Sequence, residues 1–230
     1  DLPKVLHLLG GKPMLLRILE NSLLLKPKKI LIVVGKYKNI IKSTIEKYIP
    51  LYNIDFVNQN EPLGTGDAIK CCREILINYD NHKVLILSGD VPLITKDTMI
   101  DVLNGLKECR IMILKTEDPK GLGRILLKDN KFVKIIEEKD CQGEESKIKL
   151  VNTGIYSFNS NILCKYLPMI NNQNAQQEYY LTDIIEIIKN NENIDIDMFE
   201  INSKKKYELI GVNTEQQLLD LNNLYINIKN

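Results

Sequence analysis

Val84-Leu-Ile-Leu87 is a run of four apolar residues without alternation, and it stops abruptly at Ser88-Gly-Asp-Val-Pro92. An unbroken run of this kind fits a short strand buried on both faces, as in a parallel sheet covered by helices. Gly89 lets the backbone turn and Pro92 cannot continue a central strand, which puts Asp90 at the strand's carboxyl end. In open α/β sheets ligands bind at that edge. A carboxylate there is a hard oxygen donor suited to Mg²⁺. It is equally a residue that would open the turn into a helix predicted over Lys96–Leu106. The residues alone leave both readings open.

Strand and helix patterns alternate around this run. The periodicity predicts a helix over Pro13–Leu25, a strand over Ile30–Val34 and a helix over Ile40–Tyr48. A strand over Ile54–Val57, a helix over Asp67–Ile77 and a strand over Arg110–Leu114 continue the series. This is the βα rhythm of a Rossmann-like, mainly parallel sheet. After Pro119 the rhythm changes. Arg124–Leu127 and Phe132–Ile136 flank Asp129-Asn130, a turn signal, and predict a hairpin. A strand over Val151–Phe158 and helices ending near Leu167, over Leu181–Lys189 and over Gln216–Ile228 complete the pattern. Polar stretches at 141–149 and 171–177 read as loops.

The charge balance narrows the function classes. With 31 basic and 30 acidic residues the net charge is +1, which argues against a nucleic-acid surface. No apolar run approaches the roughly 20 residues that cross a bilayer, and the opening residues do not read as a signal peptide. Five cysteines without CxxC spacing read as reduced, mostly buried thiols, so a cytoplasmic location is expected. His7 and His82 have no Ser or Cys partner pattern. Cys71 and Cys72 fall on different faces of a predicted helix and read as packing. Asp195-Ile-Asp197 has the DxD form of metal-dependent glycosyltransferases, but its context is the alternating start of an edge strand.

Gln59-Asn-Glu-Pro-Leu-Gly-Thr-Gly-Asp-Ala68 joins a short strand to a helix. Its glycines, its threonine and a helix N-terminus offer N–H groups and a hydroxyl to an anion or a base edge. Asp67 then suits the first helical turn. By itself such a loop is also a plain turn.

Taken together, these pieces carry a family resemblance. Leu2-Pro-Lys-Val-Leu-His7 with Gly11-Lys-Pro13, Gln59 with Leu63-Gly-Thr-Gly66, and Gly89-Asp-Val-Pro-Leu-Ile94 stand in a fixed order. Gly121-Leu-Gly-Arg-Ile125, Glu137-Glu-Lys-Asp140, Asn152-Thr-Gly154, Asn174–Ile185 and Gly211-Val-Asn213 follow. Over nearly its whole length the chain resembles the uridyltransferase domain of the bifunctional N-acetylglucosamine-1-phosphate uridyltransferase and acetyltransferase family.

That resemblance implies an α/β, Rossmann-like fold with a smaller β-rich sugar-binding lobe. Residues 1–118 would form the nucleotide-binding part, 119–212 the sugar-binding part and 213–230 a linker helix. It implies transfer of UMP from UTP to N-acetylglucosamine 1-phosphate with Mg²⁺ as cofactor. Another sugar-1-phosphate nucleotidyltransferase and a catalytically silent nucleotide-sugar binding module are the alternatives. Lys4 would meet substrate phosphate, and Asp90 and Asn213 would hold the metal. Gln59, Gly64 and Thr65 would read the uracil edge, although a free Gln amide can flip and does not choose a base unaided. Ser88 and Gly89 would line the substrate site. Gly123, Glu137 and Asn152 would bind the amino sugar, and Lys139 is a further phosphate candidate. The Asn174–Ile185 stretch reads as capping and packing.

Two departures stand out. Ser88 occupies a position where bacterial members commonly carry a larger residue. The family's first strand, its Gly-rich loop with a catalytic Arg and its β-helix acetyltransferase domain have no counterpart in the 230 residues. The resemblance therefore leads us to expect some 15–20 further residues before Asp1, judging by ordinary strand and loop lengths. A homo-oligomer is compatible with the family and is not fixed by these residues.

Overall fold

Two successive glycines turn the chain back near its start. A computed structural model describes residues 2–229, and in it Gly10 and Gly11 have φ of +53° and +79°. This is the left-handed pair that a two-residue hairpin loop demands. The loop joins β1 (Leu8–Leu9) to β2 (Lys12–Pro13) and leads into α1 (Met14–Leu23). Met14, Leu15, Leu16, Ile18 and Leu19 of α1 are buried. Next come β3 (Ile30–Val34), α2 (Lys38–Ile45) and β4 (Ile54–Asn58). β3 and β4 pair in parallel through this helical crossover.

The helix predicted over Asp67–Ile77 is divided. It forms α3 (Thr65–Lys70) and α4 (Arg73–Leu76). Between them the Cys72 N–H bonds the Ile69 carbonyl at 3.0 Å, an i→i−3 contact that tightens the chain and interrupts the α ladder. Cys72 is buried and Cys71 is partly exposed, as their opposite faces imply, and all five cysteines are free thiols. β5 (Lys83–Ile86), α5 (Lys96–Leu103) and β6 (Cys109–Lys115) follow. The hairpin β7 (Arg124–Lys128) and β8 (Lys131–Ile136) turns on Asp129 and Asn130, at φ +52° and +61°. Then come β9 (Leu150–Asn159), α6 (Ser160–Tyr166), α7 (Asp183–Glu192), β10 (Asp197–Glu200) and α8 (Glu215–Lys229).

The α/β class is present, with parallel pairing at β3·β4 and β10·β6. β9 makes the larger sheet mixed, because it runs antiparallel to β5, β6 and β7. Val84–Leu87 is consequently half-buried rather than sealed on both faces. Among the described residues β5 has a paired neighbour, β9, along one edge only. The β6·β9 register shifts: Ile111 faces Tyr156 while Ile113 faces Asn152.

The largest core lies where the sheet meets α6 and α7, with Ile111, Phe158, Leu163, Ile184, Ile185 and Ile188 fully enclosed. Each such side chain contributes about 1.5–3 kcal/mol by burial. β10 is an edge strand, as the Asp195-Ile-Asp197 context implies. Asp197 pairs with Arg110 at 2.5 Å and Asp195 with Lys131 at 2.9 Å, so both carboxylates of the DxD triplet are bound to basic side chains. No helix among the described residues is long and apolar enough to cross a membrane.

Candidate active site

The turn after β5 brings three parts of the chain together. Lys4 lies on a single 3₁₀ turn, Lys4–Leu6, pinned by buried Leu6. Asp90 follows β5, and its backbone carbonyl accepts the Val212 N–H at 2.9 Å, which draws residues 211–213 alongside. Thr214 and Gln217 form a reciprocal cap at the start of α8. The Gln217 N–H donates to Thr214 Oγ1 at 3.1 Å, and Gln217 Oε1 accepts from the Asn213 and Thr214 N–H groups at 2.7 and 3.0 Å. With its backbone held this way, Asn213 turns its side chain to Lys4. Lys4 Nζ donates to Asp90 Oδ2 at 2.9 Å and to Asn213 Oδ1 at 2.7 Å. Ser88 Oγ donates to Asp90 Oδ1 at 2.7 Å, so it orients the carboxylate from the opposite side.

Gln59 stands just past β4, where its backbone N–H extends the pairing with β3 through Val34 O at 2.8 Å. Its Nε2 donates to the Gly64 carbonyl at 3.0 Å and to Asp67 Oδ2 at 2.9 Å. The loop it faces is clamped by residues 179–181. Tyr179 N–H bonds Leu63 O at 2.8 Å, Gly66 N–H bonds Tyr179 O at 2.7 Å, and Leu181 N–H bonds Thr65 Oγ1 at 3.0 Å. A Cβ on Gly64 would lie 2.6 Å from Tyr179 O, and one on Gly66 2.9 Å from the same atom. The Asn174–Ile185 stretch thus packs against the glycine loop.

In the hairpin lobe, Gly123, Glu137 and Asn152 converge. A Cβ on Gly123 would sit 3.4 Å from Glu137 Oε2 and 3.6 Å from Asn152 Cβ. The Asn152 N–H bonds Gly123 O at 2.8 Å, and Asn152 Nδ2 donates to the Tyr156 hydroxyl at 2.6 Å. Thr182 Oγ1 donates to Glu137 Oε1 at 2.8 Å. Lys139 is exposed. A cavity of about 330 Å³ beside Gln59 is lined also by Gly35, Lys36, Lys38, Asn39, Asn58 and Asn60. A groove of about 420 Å³ between α2 and β4 contains none of these site residues.

A family profile described as nucleotidyl transferase matches residues 1–205. The chain belongs to the nucleotidyl transferase family. This nucleotidyl transferase is 45% identical over 223 residues to a protein named "Probable UDP-N-acetylglucosamine pyrophosphorylase" of Acanthamoeba polyphaga mimivirus, covering 95% of this chain and 87% of that one. It is 39% identical over 219 residues to the "Bifunctional protein GlmU" of Helicobacter pylori, covering 94% of this chain and 49% of that protein. The chain therefore spans about half the length of such bifunctional relatives. The crystal structure of UDP-glucose pyrophosphorylase complexed with UDP-glucose superimposes with a TM-score of 0.70 at 15% identity, covering 99% of this chain and 92% of that one. At that identity the likeness speaks to fold alone.

Four residues of this nucleotidyl transferase make contacts with candidate site residues that the motifs do not announce. Gln217 holds the Asn213 backbone, Thr182 bonds Glu137, Tyr156 bonds Asn152, and Asp67 bonds Gln59. Only the first has a sequence signal, the Thr-x-x-Gln spacing of a capping box at 214–217.

Asp183, at the start of α7, is pushed up to about 6 from an ordinary 3.8, first by burial and then by the charges of Glu137, Glu186 and Asp140. Burial likewise raises Glu137, against the opposing bond from Thr182. A raised carboxyl binds a proton in the folded chain that the unfolded chain has already lost. Its effect is that stability falls as pH rises between about pH 4 and pH 6. Asp183→Asn is expected to flatten that slope in urea melts run across the window. An unchanged slope would remove Asp183 as its source.

Proposed function

We propose that this nucleotidyl transferase moves UMP from UTP to N-acetylglucosamine 1-phosphate, giving UDP-N-acetylglucosamine and pyrophosphate. The observation that carries this reading is the Lys4 ammonium held between Asp90 Oδ2 and Asn213 Oδ1 beyond the end of β5. The name printed for the mimivirus relative, together with the coverage of both chains, supports the substrate pair. A phosphate oxygen of the sugar phosphate attacks the α-phosphorus of UTP. The bond from that phosphorus to the bridging oxygen breaks, and pyrophosphate leaves with the electron pair. No covalent enzyme intermediate is required.

Asp90 and Asn213 fit Mg²⁺. They aim two hard oxygens at one point, and that point already accommodates a cation, the Lys4 ammonium. Two protein oxygens suffice for an ion that keeps water and phosphate in most of its shell. When bound, the metal supplies charge neutralisation at the phosphates. The chain's own residues do the rest. Lys4 neutralises phosphate charge, Ser88 fixes the Asp90 carboxylate, and Gln59 with the N–H groups of Gly64 and Thr65 meets the base. Gly123 leaves room for the sugar, and Glu137 and Asn152 accept and donate to its polar groups. We assign the nucleotide to residues 1–118 and the sugar to 119–212 on these placements. Five reduced thiols fit a reducing compartment such as the cytoplasm.

Pyrophosphate release measured across a panel of nucleoside triphosphates and sugar 1-phosphates tests the proposal. Highest kcat/KM for UTP with N-acetylglucosamine 1-phosphate is expected. Preference for glucose 1-phosphate or for dTTP would transfer the assignment to another sugar nucleotide. Binding without release by any pair would mark a silent binding module. Within the panel, Glu137→Ala and Asn152→Ala are expected to raise the KM for the sugar phosphate on the order of tenfold to a hundredfold, with the KM for UTP nearly unchanged. Equal losses toward both substrates would overturn the division into base and sugar subsites.

A further inference from the structure

Gln59 reaches two acceptors at once. The Gly64 carbonyl and the Asp67 carboxylate both accept hydrogen bonds and neither donates one. Both meet Gln59 Nε2, at 3.0 and 2.9 Å. Turning the amide over would set Oε1 against two acceptor oxygens, so its orientation follows from its partners. The Gly64 carbonyl also receives the Ala68 N–H at 3.1 Å and is therefore shared. The Asp67 bond is charge-assisted and roughly twice as strong as a neutral one. Gln59 Oε1 is left as an acceptor. On the adjoining loop, the N–H groups of Gly64 and Thr65 have no acceptor among the described residues.

We propose that Asp67 is a specificity-determining positioning residue, holding the Gln59 amide so that the site presents a fixed acceptor and takes a pyrimidine with a ring N–H donor. Uracil and thymine carry that donor at N3, flanked by carbonyl oxygens that suit the loop N–H groups. Cytosine carries an acceptor at N3 and, held in the same pose, opposes Gln59 Oε1 acceptor to acceptor. Asp67 does not touch the base. It acts through Gln59, and it supplies the selection that a freely flipping amide lacks.

The inference rests on the proposed nucleotide site and is scored by binding, so that it stands apart from turnover. Titration calorimetry with UDP and CDP is carried out on the full chain and on Asp67→Asn and Asp67→Ala. The wild-type chain is expected to bind UDP at least about tenfold more tightly than CDP. In Asp67→Ala that ratio is expected to fall at least about fivefold. Asp67→Asn is nearly isosteric and preserves the fold; its amide can donate or accept, so it too should lose selectivity. Full retention of the ratio in both variants, or no UDP preference in the wild-type chain, overturns the proposal. Absence of pyrophosphate release from UTP by the wild-type chain would instead sink the function proposed above, while the UDP-to-CDP ratio would still score Asp67.

Discussion

Asp90→Asn is expected to lower kcat by about a hundredfold to a thousandfold while the chain stays folded. The carboxylate is the one formal negative charge in the Lys4–Asp90–Asn213–Ser88 group. Replacing it with an amide removes the charge that would anchor a divalent cation, and such a loss is worth several kcal/mol when phosphate charge must be neutralised. The fold has little stake in that charge. The Asp90 side chain is 23% exposed and the Lys4 side chain 42%, and a pair this open contributes at most about 1 kcal/mol. The anchoring bond from Val212 uses the Asp90 backbone carbonyl, which the substitution keeps. Steady-state rates across a Mg²⁺ titration, with a metal-binding measurement beside them, check this result. Near-normal kcat at low Mg²⁺ would remove Asp90 from the metal.

Gly64→Ala is expected to damage both stability and nucleotide binding. Gly64 has φ +111°, outside the region that side-chain-bearing residues normally adopt. The added methyl would also lie 2.6 Å from Tyr179 O and 2.9 Å from Tyr179 N, backbone atoms held by their own hydrogen bonds. Strain of about 1–3 kcal/mol is then expected together with displacement of the clamp. Because the Gly64 carbonyl positions Gln59, the KM for UTP should rise more than the KM for the sugar phosphate. A melting temperature and a UTP KM both equal to those of the wild-type chain would show that residues 178–181 yield easily.

Much of this architecture is written in short-range patterns. The strand over Ile30–Val34, the Asp129-Asn130 hairpin and the Ile184–Ile188 stripe each follow from period and turn chemistry over a few residues. The partners of β5 do not. Apolar runs of parallel and antiparallel strands look alike when short, so Val84–Leu87 could not reveal that its neighbour is β9, some seventy positions later in the chain. The candidate site divides in the same way. Asp90 is marked by its place after a strand, and Gln59 by the glycine loop beyond it. The contacts of Thr182, Tyr156 and Asp67 are marked by nothing local, because each meets its partner through tertiary packing or a loop conformation that composition does not encode.

The shifted register of β9 has its own arithmetic. From Ile111 to Ile113, β6 advances two residues, while from Tyr156 to Asn152 its partner advances four, so β9 carries two extra residues opposite that step. Gly154, at φ +74°, takes up the bulge. An even insertion preserves the alternation of faces and draws Asn152 toward Tyr156, close enough for their side chains to bond at 2.6 Å. Deleting a single residue here would put Asn152 on the opposite face of the sheet. Deleting two would remove the bulge and leave Asn152 on its present face, still opposite Ile113 and two ladder positions from Tyr156. An odd change in the length of Asn152–Tyr156 should therefore cost more than an even one, because only the odd change moves Asn152 to the other face.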